Sequence, residues 1–194
     1  MTLKWGRLIA VIGVLMAWSA EVAHAKECSG VAFPDQAQVN GSTLMLNGVG
    51  LRQATMLKVN VYVAGLYVAQ PSTDPAAILG SPAPKELVLH FVRNVGASDL
   101  RKAWDEGFAA NAKDQLPALK ERVDTLKGWM TDMKSGERIT FVHVPGAGIK
   151  VDVGGTTMGT VKGDDFARAF LSIWLGAHPP NHDLKTGLLG GACG

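Results

Sequence analysis

The sequence predicts an α+β fold in which helices cover an antiparallel sheet. Segments with strand character come first, two helical segments follow in the middle, strands return, and a further helix lies near the C-terminus. This order lacks the regular alternation of strand and helix that parallel sheets require, and it therefore favours antiparallel pairing. No repeat, linker or low-complexity tract interrupts residues 26–194, so we expect these residues to form one domain.

Residues 1–25 have the features of a secretory signal peptide. Lys4 and Arg7 precede an apolar core at residues 8–20, and the Ala-His-Ala sequence at residues 23–25 is typical of a cleavage site. The core is shorter than the ~20 apolar residues that span a bilayer. We therefore expect an exported protein that keeps no membrane span once residues 1–25 are removed.

The first half of the remaining chain predicts three strands and one short helix. Residues 43–47 predict a short strand that ends at the glycines of residues 48–50. Residues 54–68 predict a longer strand, because β-branched and aromatic side chains dominate there. An Asp-Pro pair predicts the start of a helix at residues 74–79, and the mostly apolar residues 86–92 predict a central strand.

The middle of the chain has a helical period. Leu100, Trp104 and Phe108 recur every four residues after Ser98 and Asp99, which predict the N-cap. A second helix is predicted over residues 117–130, with a proline in its first turn and one apolar face. We expect both apolar faces to pack against the sheet rather than to bind a cofactor.

The last third of the chain predicts a hairpin and two more helices. Strands are predicted over residues 139–142, 149–153 and 156–161, and helices over residues 164–175 and 184–189. Two glycines at residues 154–155 predict the tight turn of the hairpin. Phe166, Phe170 and Trp174 recur every four residues on the first of these helices, which ends at Gly176.

The composition excludes several classes of function. Nineteen Lys and Arg residues face seventeen Asp and Glu residues, and the resulting net charge of +2 does not indicate binding to nucleic acid. The sequence lacks the G-x-S-x-G, Walker and H-E-x-x-H motifs of common catalytic sites. His178 and His182 are separated by two prolines that prevent a shared helical face, so we expect neither a metal site nor a cofactor.

The two cysteines lie at opposite ends of the expected mature chain. Cys28 and Cys193 are the only cysteines present, and neither belongs to a C-x-x-C motif. In an oxidising compartment such a pair most simply forms one disulfide bond. We expect the bond to hold together two ends of the chain that would otherwise fray.

Two arginines are candidate ligand-binding residues. Arg52 leads into an apolar strand that contains tyrosines, and Arg93 follows the strand of residues 87–92. A guanidinium beside an apolar cleft can bind a carboxylate or enolate oxygen through two parallel hydrogen bonds. The residues alone allow a second interpretation, in which each arginine pairs with an acidic side chain or faces solvent.

Several segments resemble the chalcone isomerase superfamily. The sequences GVGLR at residues 48–52 and VYVAGLYV at residues 61–68 resemble its first strands. Residues 87–93, the IWLG sequence at residues 173–176 and residues 183–185 agree with it in order and spacing. The resemblance extends over residues 31–189 and is closest to the exported bacterial branch of the superfamily, which implies a location in the periplasm of a bacterium.

The resemblance implies an open-faced β-sandwich, in which a large antiparallel sheet is covered on one face by helices and a ligand cleft lies between them. Arg52 matches the family's ligand-binding arginine, and Tyr62 lies where the family has a strand threonine. Val92 lies at the position of the active-site tyrosine, and Ile173 at that of a serine or threonine. Because valine cannot position a reacting oxygen, we do not expect isomerisation of classical chalcones.

Three hypotheses follow from the resemblance. The leading one is a non-catalytic exported protein that binds a fatty acid or another apolar carboxylate through Arg52 and Tyr62, with Val92 and Ile173 in an apolar cleft. The second is an isomerase or intramolecular lyase that acts on an enone-like substrate other than a classical chalcone. The third is a structural or protein-interaction role with no ligand.

Overall fold

The computed structural model describes residues 25–193, and residues 1–24 of the expected signal peptide lie outside this range. The strands are β1 Ala25–Cys28, β2 Val31–Pro34, β3 Gln36–Val39, β4 Ser42–Ala54, β5 Val59–Val68, β6 Lys85–Phe91, β7 Arg138–Val144, β8 Gly148–Val153 and β9 Thr156–Lys162. The α-helices are α1 Pro75–Gly80, α2 Ala97–Asn111, α3 Leu116–Gly128, α4 Asp164–Leu175 and α5 His182–Leu188.

Seven strands form one antiparallel sheet whose order, β3 to β9, is the order of the strands along the chain. Each strand pairs with its neighbour in sequence, and α1 to α3 lie in the two longest connections. The remaining strands, β1 and β2, form a separate antiparallel pair. This architecture confirms the predicted α+β class and the open-faced sheet covered by helices.

The two faces of the sheet are covered by different elements. Side chains alternate between the faces along each strand, so each strand contributes to both cores. One face packs against α2, α3 and α4 in a core that contains Trp104, Phe141 and Phe170. On the other face, the β1–β2 hairpin places Phe33 over the middle of β5. Gly65 leaves room for this ring, because a Cβ there would lie 2.4 Å from it.

The sequence predicted that a strand ends at the glycines of residues 48–50, and this prediction was wrong. β4 continues through them to Ala54, with an irregularity in its pairing with β5 between Leu46 and Gly48. A Cβ at Gly50 would lie 2.3 Å from the carbonyl oxygen of Leu184, so glycine is needed where α5 crosses the strand. The prediction of one strand over residues 54–68 was also wrong, because residues 55–58 form a turn.

Several element boundaries also differ from the predictions. α2 begins at Ala97, whose N–H donates to the Asp132 carboxylate at 2.8 Å, so Ser98 and Asp99 lie within the helix and not at its N-cap. α3 ends at Gly128, and Met130 is buried beyond it. Strands β1, β2 and β3 were not predicted, because four-residue strands of mixed polarity lack a clear period.

Cys28 and Cys193 form a disulfide bond with 5.9 Å between their Cα atoms, which confirms the predicted pairing. The bond joins the end of β1 to the segment that follows α5. Lys26 Nζ reinforces this junction by donating to the carbonyl of Gly191 at 3.1 Å. Among residues 25–193, no helix has the length and apolar composition needed to cross a bilayer.

Candidate functional site

A cavity of about 840 Å³ lies between the sheet and the two helices α2 and α4. Strands β4, β5 and β6 form its floor, and the segment between α4 and α5 closes one side. Its wall contains the apolar or aromatic residues Val61, Tyr62, Leu89, Phe91, Val95, Leu100, Trp104, Ile173 and Trp174. Charged residues, among them Arg52 and Arg93, lie at its edge.

Arg52 lies on the cavity wall and is held by hydrogen bonds to uncharged groups. Its Nη1 donates to Asn181 Oδ1 at 2.9 Å and to the carbonyl of Gln53. The same Asn181 oxygen accepts from the N–H of Gln53 at 3.0 Å, so this amide fixes the arginine against the end of β4. Among the ion pairs of residues 25–193, none involves Arg52, so the acidic partner that was one part of the alternative interpretation is not observed there.

Tyr62 lies directly opposite Arg52 in the pairing of β4 with β5. Its hydroxyl oxygen accepts from the indole N–H of Trp174 at 3.0 Å. Burial raises the pKa of Tyr62 to about 12, against the smaller opposing effects of the Trp174 hydrogen bond and the Arg52 charge. The hydroxyl is therefore neutral near pH 7, and its proton is available to an acceptor in the cavity.

Val92 does not line the cavity, so the expectation that it faces the cleft was wrong. It lies just beyond β6 and packs against the hydrophobic cluster on the opposite face of the sheet, to which Val88 and Tyr67 belong. Phe91 takes the cavity-facing position instead, because adjacent residues of a strand point to opposite faces. Phe91 packs edge to face against Tyr62, with 5.8 Å between the ring centres.

Ile173 lies on the cavity wall where α4 approaches α2. The approach is close because α2 has a glycine at this point. A Cβ at Gly107 would lie 2.8 Å from Cγ2 of Ile173. The apolar residue at position 173 therefore contributes both to the cavity wall and to the contact between the helices.

Trp104 and Trp174 make the helix side of the cavity wall aromatic. Trp104 packs against Phe141, Phe170 and Trp174, with ring centres 5.6 to 5.7 Å apart. The indole N–H of Trp104 is buried in this packing and has no hydrogen-bond partner among residues 25–193. Apart from this one donor, the aromatic part of the wall suits a hydrocarbon group better than a polar one.

The rim carries mixed charge. Arg93 is exposed and lies on the cavity wall. Lys102 and Glu106 lie beside the opening on α2 and approach each other at 3.7 Å. Asp99 precedes them on the same helix.

Residues 25–190 match the family model described as chalcone isomerase-like. The chain belongs to the chalcone isomerase-like family. This membership confirms the superfamily that the sequence motifs indicated, while assignment to its exported bacterial branch stays a prediction. No curated protein matches the sequence.

The solved structures include a related fold from a plant. A fatty-acid binding protein of Arabidopsis thaliana superposes with a TM-score of 0.65 at 18% sequence identity. The alignment covers 86% of this chain and 96% of the plant protein. At this identity the likeness shows that the two proteins share a fold.

The donors of the site are suited to an oxyanion. Arg52 and Tyr62 lie opposite each other on adjacent strands, and each has a donor for a ligand carboxylate in the cavity. Among residues 25–193, no group of three or more His, Cys, Asp or Glu side chains could bind a metal ion.

Sequence motifs pointed to Arg52, whereas Asn181 was missed because its contact with Arg52 depends on how the chain returns after α4.

Proposed function

We propose that the protein binds a fatty acid or another apolar carboxylate without converting it chemically. The observation that carries this proposal is the position of Arg52, a cation without an acidic partner among residues 25–193, on the wall of a cavity that is also lined by aromatic side chains such as Phe91 and Trp104. The cavity volume of about 840 Å³ lies within the range of roughly 300–1,000 Å³ typical of small-molecule sites.

The chemistry of the wall suggests how such a ligand lies in the cavity. Its carboxylate would accept hydrogen bonds from Arg52 and from the neutral hydroxyl of Tyr62. Its hydrocarbon chain would lie along Phe91, Trp104 and Ile173. This arrangement removes apolar ligand surface from water and leaves the charged end near the polar edge of the cavity.

Native mass spectrometry of the purified protein tests the proposal, together with calorimetric titration of a soluble acid such as laurate. Wild-type protein should carry or take up the acid, and Arg52→Ala should bind it about 10- to 100-fold more weakly, the typical cost of a lost charged hydrogen bond. Arg168→Ala is the matched control, because Arg168 is an exposed arginine on α4 outside the cavity wall. Failure of the wild-type protein to bind any saturated acid would contradict the proposal.

A second candidate is an isomerase or intramolecular lyase that acts on an enone-like substrate other than a classical chalcone. Two donors on one oxygen also stabilise negative charge that develops during a reaction, and Arg52 with Tyr62 provides such a pair. A panel of conjugated phenolic ketones should then be turned over, with at least about a tenfold loss of rate in Arg52→Ala. Absence of turnover across the panel would count against this candidate.

The third hypothesis, a structural role without a ligand, required a filled cleft. A cavity that reaches both Arg52 and Tyr62 favours the two ligand-binding candidates over it. We also propose that the protein is exported to a bacterial periplasm and belongs to the exported branch of its family. The signal-like residues 1–25 and the bond between Cys28 and Cys193 support this location.

A further inference from the structure

The turn between β4 and β5 exposes two adjacent large apolar side chains. Met56 is fully exposed and Leu57 is 86% exposed. Among residues 25–193, the other large hydrophobic residue counted as exposed is Met45, at 36%. Such an adjacent pair of exposed apolar side chains indicates a surface that contacts something apolar.

Hydrogen bonds within the turn hold this pair in place. The N–H of Leu57 donates to Thr55 Oγ1 at 3.3 Å, and the N–H of Lys58 donates to the carbonyl of Thr55 at 3.2 Å. Gln53 adds a bond from its Nε2 to the carbonyl of Lys58 at 3.4 Å. The apolar pair is therefore presented at the tip of a paired hairpin.

The hairpin tip, residues 55–58, is next to the mouth of the cavity. Ala54 and Thr55 line the cavity together with Arg52, which belongs to the same strand end. A surface that is reached by Met56 and Leu57 would thus lie beside the entrance through which a ligand passes.

The charges around the tip suit an anionic surface. Lys58 belongs to the tip itself, and Arg52, Arg93 and Lys102 line the nearby cavity. Two acidic residues of the cavity wall, Asp99 and Glu106, offset part of this charge, and a cationic excess remains. Cationic side chains beside an exposed apolar group are the combination that attracts proteins to anionic bilayers.

We propose that the hairpin tip inserts Met56 and Leu57 into the surface of a lipid bilayer, so that a fatty acid passes directly between the bilayer and the cavity. A bilayer fits this tip better than a protein partner does. A stable protein interface buries about 1,200–2,000 Å² in total, which two side chains at a convex turn do not provide. Reversible insertion into the headgroup region needs only a few apolar side chains and some cationic ones.

Co-sedimentation with vesicles of phosphatidylethanolamine and phosphatidylglycerol tests the insertion. The double variant Met56→Ser/Leu57→Ser should partition onto the vesicles about 100-fold more weakly, roughly tenfold for each apolar side chain removed. Met45→Ser, which changes an exposed apolar residue outside the cavity wall, should partition like the wild type. Lys58→Gln should weaken partitioning about fivefold, and this effect should disappear on vesicles without phosphatidylglycerol.

A transfer experiment tests the consequence for ligand exchange. When a fluorescent fatty acid moves from the protein to vesicles, the rate should rise with vesicle concentration for the wild type, because transfer occurs during contact. For Met56→Ser/Leu57→Ser the rate should be slower and independent of vesicle concentration, because the acid must first dissociate into water.

This inference rests on the proposed function, but different measurements test the two: vesicle partitioning tests the inference, and laurate binding in solution tests the proposed function. If the inference is correct, Met56→Ser/Leu57→Ser binds laurate in solution as tightly as the wild type, whereas Arg52→Ala loses laurate but still partitions onto vesicles. Partitioning of wild type and double variant to the same extent would overturn the inference and leave the fatty-acid proposal intact. A dimer that forms in solution and is lost in the double variant, without vesicle binding, would also overturn it in favour of a contact between copies.

Discussion

Replacing Asn181 by aspartate would test whether Arg52 is kept free of acidic partners for a ligand. Asn181 Oδ1 accepts from Arg52 Nη1 at 2.9 Å and from the N–H of Gln53 at 3.0 Å. Aspartate has the same shape and can accept both bonds. It also places a full negative charge against the guanidinium, so Asn181→Asp would supply internally the carboxylate that we propose comes from a ligand.

The expected loss of affinity follows from the hydrogen bonds at stake. A hydrogen bond to a charged group contributes about 1.5–3 kcal/mol. Arg52 is half-buried and partly screened by water, so the lower part of this range applies. A loss of about 1.5–2 kcal/mol corresponds to binding that is roughly 10- to 30-fold weaker.

Calorimetric titration of laurate into wild type, Asn181→Asp and Asn181→Ala separates charge from positioning. Asn181→Ala removes the bonds that orient Arg52 but adds no charge, so it should weaken binding by only about threefold, the effect of one modest hydrogen bond. Denaturant unfolding of the three proteins provides the control. Asn181→Asp should be at least as stable as Asn181→Ala, because it retains both hydrogen bonds.

Two results would refute this reasoning. Wild-type affinity in Asn181→Asp would mean that the ligand does not use the Arg52 charge. A loss in Asn181→Ala as large as that in Asn181→Asp would mean that the orientation of the arginine matters and its free charge does not.

Three further predictions concern stability. Replacing Cys28 and Cys193 by serine should lower the free energy of unfolding by about 2–5 kcal/mol in chemical denaturation, because the disulfide bond closes a long loop. A denaturation midpoint equal to that of the oxidised wild type would contradict this prediction. Gly50→Ala should lower the free energy of unfolding by about 1–3 kcal/mol, because the new Cβ would lie 2.3 Å from the Leu184 carbonyl oxygen. Gly80→Ala is the control, because a Cβ there would meet open space. Equal stability of the two variants would refute the close approach at Gly50. Burial lowers the pKa of Lys85 to about 8 in the native state, below its ordinary value of 10.5. Between these two pH values the unfolded chain therefore binds more protons than the native protein does, and the free energy of unfolding should rise with pH. Lys85→Met should lose this rise in unfolding titrations at pH 7 to 10, and an unchanged pH dependence would disprove the assignment.

Much of the fold could be predicted because apolar side chains recur at a regular spacing along its longer helices and strands. The four-residue spacing of Phe166, Phe170 and Trp174 predicted α4, which begins and ends as expected. The glycine pair at residues 154–155 predicted the β8–β9 hairpin, and that turn is observed. Where the period was unclear, as at the glycines of β4, the sequence could not distinguish a strand end from a close helix contact.

The candidate site was only partly predictable for a related reason. Motifs singled out Arg52, Tyr62 and Ile173, and all three lie on the cavity wall. Val92 was misplaced because the family resemblance assigned the site position one residue beyond Phe91, and adjacent residues of an extended chain lie on opposite faces of the sheet. Met56 and Leu57 have the composition of a strand, and only the structure shows that they form an exposed turn.

The sequence by itself determined the fold class, the order of the main elements, the pairing of the two cysteines and the arginine at the centre of the proposed site. These properties follow from local period, from composition and from short motifs, all of which are contained in neighbouring residues. The cavity, the Asn181 contact with Arg52 and the exposed hairpin tip were decided by the tertiary structure alone. Each depends on the distance and orientation between elements far apart in the chain, because a cavity is the space that packing leaves between them.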